Sequence, residues 1–145
     1  TLFDITYFWL FSGTLFALAT PTVISYCGPT RFRYYQFWCE HLLGYIALFY
    51  MIFVHGMKIK FKAIFKSVAC LAVLAVIAYI ANVTLGDDAN YLFMAMPEDT
   101  TSVLDFLPKN FILRVVIMGV VIIALFVVAY LPWYFIDKKN KKKEA

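Results

Sequence analysis

The stretch YYQFWCEHLLGYIALFYMIFVHGM, residues 34–57, decides the fold, because it is long enough to cross a bilayer and yet carries polar side chains near its start. A spanning helix needs roughly 20 mostly apolar residues. Gln36, Glu40 and His41 fall within the first two turns of this stretch. Polar groups at membrane depth are costly, and they usually face a bundle interior or a cavity. We therefore expect the chemistry of this protein to lie here.

The composition of the whole chain indicates a membrane protein. Of the 145 residues, 63% are hydrophobic and only 15% are charged, and the mean hydropathy is +0.79. Soluble domains are about half apolar and a quarter charged, so a water-soluble class is excluded. The net charge of +4 does not indicate nucleic-acid binding, because most basic residues lie in two clusters beside apolar stretches. We expect membrane lipids as partners and no nucleic acid.

The hydrophobic runs predict an all-α, polytopic transmembrane helix bundle with four spanning helices. These fall at about residues 5–20, 34–57, 63–83 and 111–136. The bundle domain takes in residues 1–137, with an outer acidic loop over 84–109, and a basic tail follows over 138–145 that we expect to be disordered. The three cysteines show no metal or disulfide spacing, so we expect neither a metal nor a cofactor.

The lysine clusters predict the orientation of the bundle. Residues 58–66 and 138–143 fall on the same side of the membrane if the four spans alternate, and clustered lysines favour the cytoplasmic side. We therefore expect a multi-pass protein of the cell membrane. Its amino-terminal end and its basic tail are predicted to be cytoplasmic, and its acidic loop to be outside.

With this topology, the polar side chains of different spans collect at one height near the outer leaflet. Thr20 ends the first span, His41 lies in the outer part of the second, Asn82 ends the third, and Arg114 lies one turn into the fourth. We predict that Glu40 faces Arg114 across the bundle, since an unpaired charge at this depth is costly. The alternative is that Arg114 extends to lipid headgroups while Glu40 is protonated.

Four segments resemble the YwaF family of bacterial integral membrane proteins, whose superfamily includes transmembrane protein 164 of animals. The segments are FWLFSGTLFALATP, RYYQFWCEHLL, NVTLGDDANYLFMAMP and the closing YLPW. They cover nearly the whole chain in order. The motifs that carry the resemblance are Thr20-Pro21, Tyr35-Gln36-Phe37, His41, Asn82, Gly86, Asn90-Tyr91 and Pro97.

The resemblance implies a bundle of six or seven helices and an activity on lipids. The animal relatives are regarded as lipid acyltransferases, and more distant androgen-inducible relatives hydrolyse fatty-acid esters with a threonine and a histidine. His41 takes the position of the family's histidine and is the candidate general base. Two departures stand out: Thr22 replaces a common Asp, and the family's earlier helices are missing. Those helices, or another copy of the chain, are expected partners that would complete the catalyst.

The leading functional hypothesis is therefore a membrane acyltransferase or ester hydrolase acting on lipids. His41 would be the base and Thr20 the best local nucleophile. Asn82 or Asn90 would stabilise an oxyanion or hold a headgroup, and Gln36, Glu40 and Arg114 would complete the substrate site.

Two other classes stay open. One is a bundle that transports a small solute or an ion, with Glu40, His41 and Arg114 as a relay. The other is a non-catalytic membrane protein whose small-residue helix faces only bind partners.

Overall fold

The computed structural model describes residues 1–21, 23–86, 89–94 and 103–144, and it contains no strand within these ranges. Helix accounts for 81% of the chain. The predicted all-α class is confirmed.

The described ranges contain four long helices and one short α-helix. Helix α1 is continuous through three stretches, α-helical Leu2–Trp9, π-helical Leu10–Thr14 and α-helical Leu15–Ala19. The single-turn helix α2 (Val23–Tyr26) is followed by α3 (Phe32–Phe53), α4 (Lys62–Leu85) and α5 (Phe111–Glu144). Two 3₁₀-helices, Tyr91–Phe93 and Val103–Phe106, lie between α4 and α5.

The helix ends follow from local sequence signals. Thr20 leaves the helical conformation at φ −126° and ψ 71°, as expected for a residue that precedes proline. Gly86 ends α4 at φ 93°, a backbone conformation that glycine adopts without steric cost. At the start of α5, the Asn110 side-chain oxygen accepts a hydrogen bond from the Leu113 N–H at 3.0 Å, which is a common helix cap.

Helix α1 lies at the centre of the bundle, in contact with α3, α4 and α5. Its Phe8 ring is fully buried and packs against the Phe126 ring of α5, with 5.1 Å between ring centroids. The buried core draws on all four long helices and the α3–α4 connection: Phe3, Tyr7, Phe8, Leu10, Leu48, Ile59, Ala63, Ile64, Phe126 and Trp133. Burial by its neighbours therefore stabilises α1, whereas the other helices expose long apolar faces.

The π-helical stretch of α1 is the contact point for α3. There the Leu15 N–H bonds to the Leu10 carbonyl oxygen five residues earlier, and the same oxygen accepts a hydrogen bond of 2.6 Å from the Tyr45 hydroxyl. Gly44 lies beside this bond, and a β-carbon placed on it would lie 2.9 Å from Cδ2 of Leu10. The absence of a side chain at Gly44 thus allows α1 and α3 to approach closely.

A second tyrosine joins α1 to α5. The Tyr7 hydroxyl donates a hydrogen bond of 2.7 Å to the Ala129 carbonyl oxygen. Pro132 lies within α5 one turn later, and a proline inside a helix leaves the carbonyl four residues earlier unbonded and opens that turn. The carbonyl that Pro132 leaves without a helical partner is that of Val128, next to the Ala129 carbonyl that accepts from Tyr7.

The contacts also fix which helix ends lie together. The Lys66 ammonium pairs with the Asp4 carboxylate at 3.2 Å, so the starts of α4 and α1 are adjacent. The Tyr79 and Phe111 rings are 5.7 Å apart, which brings the end of α4 to the start of α5. Because α3 runs antiparallel to α1, its start lies at this same end, beside Thr20. We call this the Thr20 end of the bundle.

Among the residues that the structure describes, three stretches are long and apolar enough to cross a membrane: Leu2–Ser25, Lys62–Leu85 and Phe111–Lys142. In the most apolar part of Lys62–Leu85 only 6% is buried within the chain, and in that of Phe111–Lys142 only 11%. The apolar side chains of these two helices therefore mostly face outward, as lipid contact requires. The predicted fourth span, residues 34–57, is not confirmed. It corresponds to α3, where charged and polar residues and several tyrosines lower the hydropathy of an otherwise long helix.

The helices begin and end within a few residues of the prediction, except at the carboxyl end. The basic segment from residue 138, expected to be disordered, continues α5 as helix to Glu144. The expectation of disorder is therefore wrong here, because a helix already nucleated by a long apolar span extends at little cost through lysines, which are good helix formers.

We predict that Tyr45→Phe lowers the free energy of unfolding by about 0.5–1.5 kcal/mol, since it removes one hydrogen bond and leaves the ring in place. Heat or SDS unfolding of the detergent-solubilised full chain measures the change. Tyr50→Phe is the matched control, because that tyrosine is exposed on the same helix. Equal unfolding midpoints for all three forms would show that the bond to Leu10 contributes nothing.

We predict that Gly44→Leu destabilises the bundle by about 1–3 kcal/mol, because the added side chain forces α1 and α3 apart. Gly44→Ala should cost less, since only the flexible tip of Leu10 has to move. Gly119→Leu is the control, because no atom lies within 4 Å of a β-carbon at that position. A control variant as unstable as Gly44→Leu in the same assay would contradict the close-approach explanation.

Candidate functional site

His41 is the tenth residue of the 22-residue helix α3 and is partly buried. Its Nδ1 is 2.7 Å from the Phe37 carbonyl oxygen, and its ring stacks on the Phe37 ring at 4.2 Å between centroids. Because a carbonyl oxygen can only accept, Nδ1 carries the proton in this bond, and the neutral ring keeps its lone pair on Nε2. The free lone pair on Nε2 makes this nitrogen the one that can act as a general base.

A line of polar side chains runs beside His41 on α3. An Arg33 Nη1 atom donates to the Gln36 side-chain oxygen at 3.2 Å, and the Gln36 amide donates to the Glu40 carboxylate at 2.7 Å. The spacings of three and four residues place these groups on one helix face. Glu40 is exposed on the outside of the chain, so this face is open to a lipid or to another helix.

Thr20 marks the end of the bundle toward which α3 begins, and it does not pair with His41. The Thr20 hydroxyl donates to the Phe16 carbonyl oxygen at 3.0 Å. Since Leu10 lies opposite Gly44, the helical rise places Thr20 about 10 Å beyond the level of His41 along the bundle. The role of Thr20 as a nucleophile stays a prediction that this geometry does not favour.

A second polar group lies where α4 meets the segment after it. The Asn82 amide donates to the Tyr91 carbonyl oxygen at 3.2 Å, and its side-chain oxygen accepts from the Tyr91 N–H at 2.7 Å. This two-point clamp ties residues 89–94 to the end of α4. Both ends of the Asn82 carboxamide are engaged, so in this arrangement it positions backbone.

Arg114 completes this second group from α5. Its side chain is fully buried, and Nε donates to the Phe93 carbonyl oxygen at 2.8 Å. The terminal nitrogens Nη1 and Nη2 are buried and have no hydrogen-bond partner among the residues that the structure describes. Buried arginines are normally paired, which makes these two nitrogens the most unusual polar atoms of the described chain.

The predicted ion pair between Glu40 and Arg114 is not formed. Glu40 bonds to Gln36 and Arg114 bonds to Phe93, and the ion pairs within the described ranges involve Asp4 instead. The physical reason is the central position of α1, because α3 and α5 each pack against it. The predicted single constellation is therefore two groups: Gln36, Glu40 and His41 on α3, and Asn82, Tyr91, Phe93 and Arg114 around the 89–94 segment.

The sequence analysis missed the backbone of this second group. Leu92 and Phe93 have φ of 57° and 51°, and such left-handed conformations are uncommon for large side chains. No sequence signal of glycine or asparagine marks these positions. Next to them, Leu85, Ala89, Asn90 and Tyr91 line a shallow, open depression of the surface. Asn90, a predicted substrate-binding residue, thus borders this depression.

Some expectations fall on residues that the structure does not describe. Thr22 and most of the acidic part of the outer loop, residues 87–88 and 95–102, lie outside the described ranges. Within those ranges, no group of three or more His, Cys, Asp or Glu side chains is placed to hold a metal ion.

Comparison with known proteins identifies the family. No curated protein and no solved structure matches the chain. The sequence model of the TMEM164 family matches residues 1–141, which is nearly the whole chain. The apolar helices of this chain agree with a membrane protein. The narrower YwaF assignment and the missing helices stay predictions. The chain belongs to the TMEM164 family.

Proposed function

We propose that this protein is a lipid-acting membrane enzyme of the acyl-transfer or ester-hydrolysis type, with His41 as its general base. The family membership agrees with the lipid activity that the sequence resemblance implies. The bundle offers a histidine on α3, apolar helix faces for acyl chains, and polar side chains beside the histidine.

The observation that carries the proposal is the hydrogen bond between His41 Nδ1 and the Phe37 carbonyl oxygen. It selects the tautomer with a free lone pair on Nε2, and ring stacking on Phe37 fixes the ring. A purely structural histidine needs only one such bond. A base needs that bond and a second nitrogen within reach of a substrate proton, and the partial exposure of His41 allows this.

The proposed reaction begins when Nε2 of His41 takes the proton from an acceptor hydroxyl, either of a lipid or of water. The acceptor oxygen attacks the ester carbonyl of the acyl donor, and the ester C–O bond then breaks. The imidazolium returns its proton to the departing alkoxide, so the enzyme ends the cycle unchanged. Gln36 and Glu40 lie on the adjacent helix face and would hold the polar part of the substrate.

Thr20 is the alternative acceptor in a two-step route through an acyl-enzyme. Its hydroxyl would first have to break its hydrogen bond to the Phe16 carbonyl oxygen. It would then have to cross the distance of about 10 Å along the bundle that separates it from His41. The direct route requires no such rearrangement, and we favour it.

The orientation is part of the same proposal. The lysines at the start of α4 lie at the opposite end of the bundle from Thr20, as the Lys66–Asp4 pair shows. If this lysine-rich end is cytoplasmic, both the amino-terminal end and the basic carboxyl-terminal segment are cytoplasmic, and His41 is near the outer leaflet.

We predict that His41→Ala lowers acyl-transfer or ester-hydrolysis activity about 10²–10⁴-fold, the usual contribution of a general base. Lipid profiles of membranes carrying the full-length protein measure the effect, together with release of labelled fatty acid from an ester. His55→Ala is the matched control, because the other histidine of the chain is exposed at the far end of α3.

Thr20→Val separates the two routes. Unchanged activity in this variant supports direct attack, whereas a loss as large as that of His41→Ala supports the acyl-enzyme. Identical lipid profiles for the wild type and a folded His41→Ala variant would remove the enzymatic proposal altogether.

A further inference from the structure

The guanidinium of Arg114 is a buried cation with only one of its five N–H donors bonded among the residues that the structure describes. Its side chain is 0% exposed, Nε is bonded to the Phe93 carbonyl oxygen, and Nη1 and Nη2 have no partner in the described part of the chain. Arginine stays protonated in proteins. A charge held in this state is strongly unfavourable unless an anion joins it. We infer that Arg114 forms the binding site for a phosphate-type oxyanion.

The geometry of the available donors favours an oxyanion. With Nε committed to Phe93, the two terminal nitrogens present a planar fork. Such a fork matches two oxygens of one phosphate, and hydrogen bonds between charged groups of this kind are about twice as strong as neutral ones. A lysine at this position would offer only a point charge.

The height of Arg114 in the bundle favours a lipid headgroup as the source of the phosphate. It lies one turn into α5, which begins at Phe111, and Asn82 lies one turn before the end of α4 at Leu85. Both helices are candidate spans. Their facing ends lie together, so the guanidinium is at the edge of the apolar zone, where phospholipid phosphates lie. The open depression bordered by Asn90 and Tyr91 is on the same short segment.

The backbone around Phe93 is held in a way that serves such a site. Leu92 and Phe93 adopt left-handed conformations that cost free energy and persist only when the surroundings enforce them. Asn82 fixes one side of this turn through Tyr91, and Arg114 fixes the other through the Phe93 carbonyl. The turn thereby holds the guanidinium in one orientation, and it uses only the Nε atom for a hydrogen bond.

The site can be tested by binding, independently of any reaction. The full chain is purified in a non-ionic detergent and a phosphate-free buffer, and its thermal unfolding midpoint is titrated with one of three probes. These are a short-chain phosphatidylglycerol, the matching diacylglycerol without phosphate, and inorganic phosphate. A ligand that binds the folded form raises the midpoint with concentration. We expect stabilisation by the phospholipid and none by the diacylglycerol.

Variants assign the effect to Arg114. Arg114→Gln should weaken the apparent affinity for the phospholipid at least about tenfold, and Arg114→Lys should be intermediate, because it keeps the charge without the fork. Arg31→Gln, at an exposed position before α3, should behave as wild type. Arg114→Gln should unfold no earlier than wild type when no probe is present, because it removes an uncompensated buried charge.

The outcomes are distinct. Equal stabilisation by inorganic phosphate and phospholipid would support the site and identify free phosphate as a sufficient ligand. Stronger stabilisation by the phospholipid would identify the headgroup. Unchanged phospholipid affinity in a folded Arg114→Gln variant, or equal binding of the diacylglycerol, would overturn the inference. None of these results depends on His41, so failure here leaves the proposed reaction standing.

Discussion

The structure depends on the need to satisfy polar groups where water is absent. Within the described residues, helix α1 meets this need through links to each neighbour, among them Tyr7 to the α5 backbone, Tyr45 of α3 to the α1 backbone, and Asp4 to Lys66 and Ser67 of α4. In lipid, apolar packing between helices gives little net driving force, so close approach and interhelical hydrogen bonds determine which helices associate. Because a carbonyl oxygen can accept two hydrogen bonds, the Leu10 and Ala129 carbonyls can bond a tyrosine hydroxyl and also a backbone N–H of their own helix.

The central position of α1 also determines how the polar groups are distributed. Helices α3 and α5 pack against it from different directions, so side chains at the same height do not have to meet. His41 and the Gln36–Glu40 pair form one group, and Arg114 with the Asn82-clamped turn forms another. This separation agrees with the two proposals made above, proton transfer by the first group and anion binding by the second.

Much of the fold could be predicted from the sequence, because hydrophobic run length and proline or glycine at helix ends are strong local signals. The helix boundaries at Thr20 and Gly86 are examples. The pairing of the polar residues could not be predicted. The rise per residue gives the height of each side chain in the membrane, but the sequence does not give the order of the helices around α1. The left-handed turn at Leu92 and Phe93 was also inaccessible, because tertiary contacts impose it on residues that do not favour it.

The length of α5 has a consequence for the membrane surface. Its 34 residues extend about 50 Å, whereas the hydrocarbon layer is about 30 Å thick. The lysine-bearing turns after Ile136 therefore emerge as a stiff rod. The attraction between these lysines and anionic headgroups acts within a Debye length of about 8 Å. It therefore favours one depth of the helix in the membrane, while packing against Tyr7 and Phe8 fixes the rotation of α5 about its own axis.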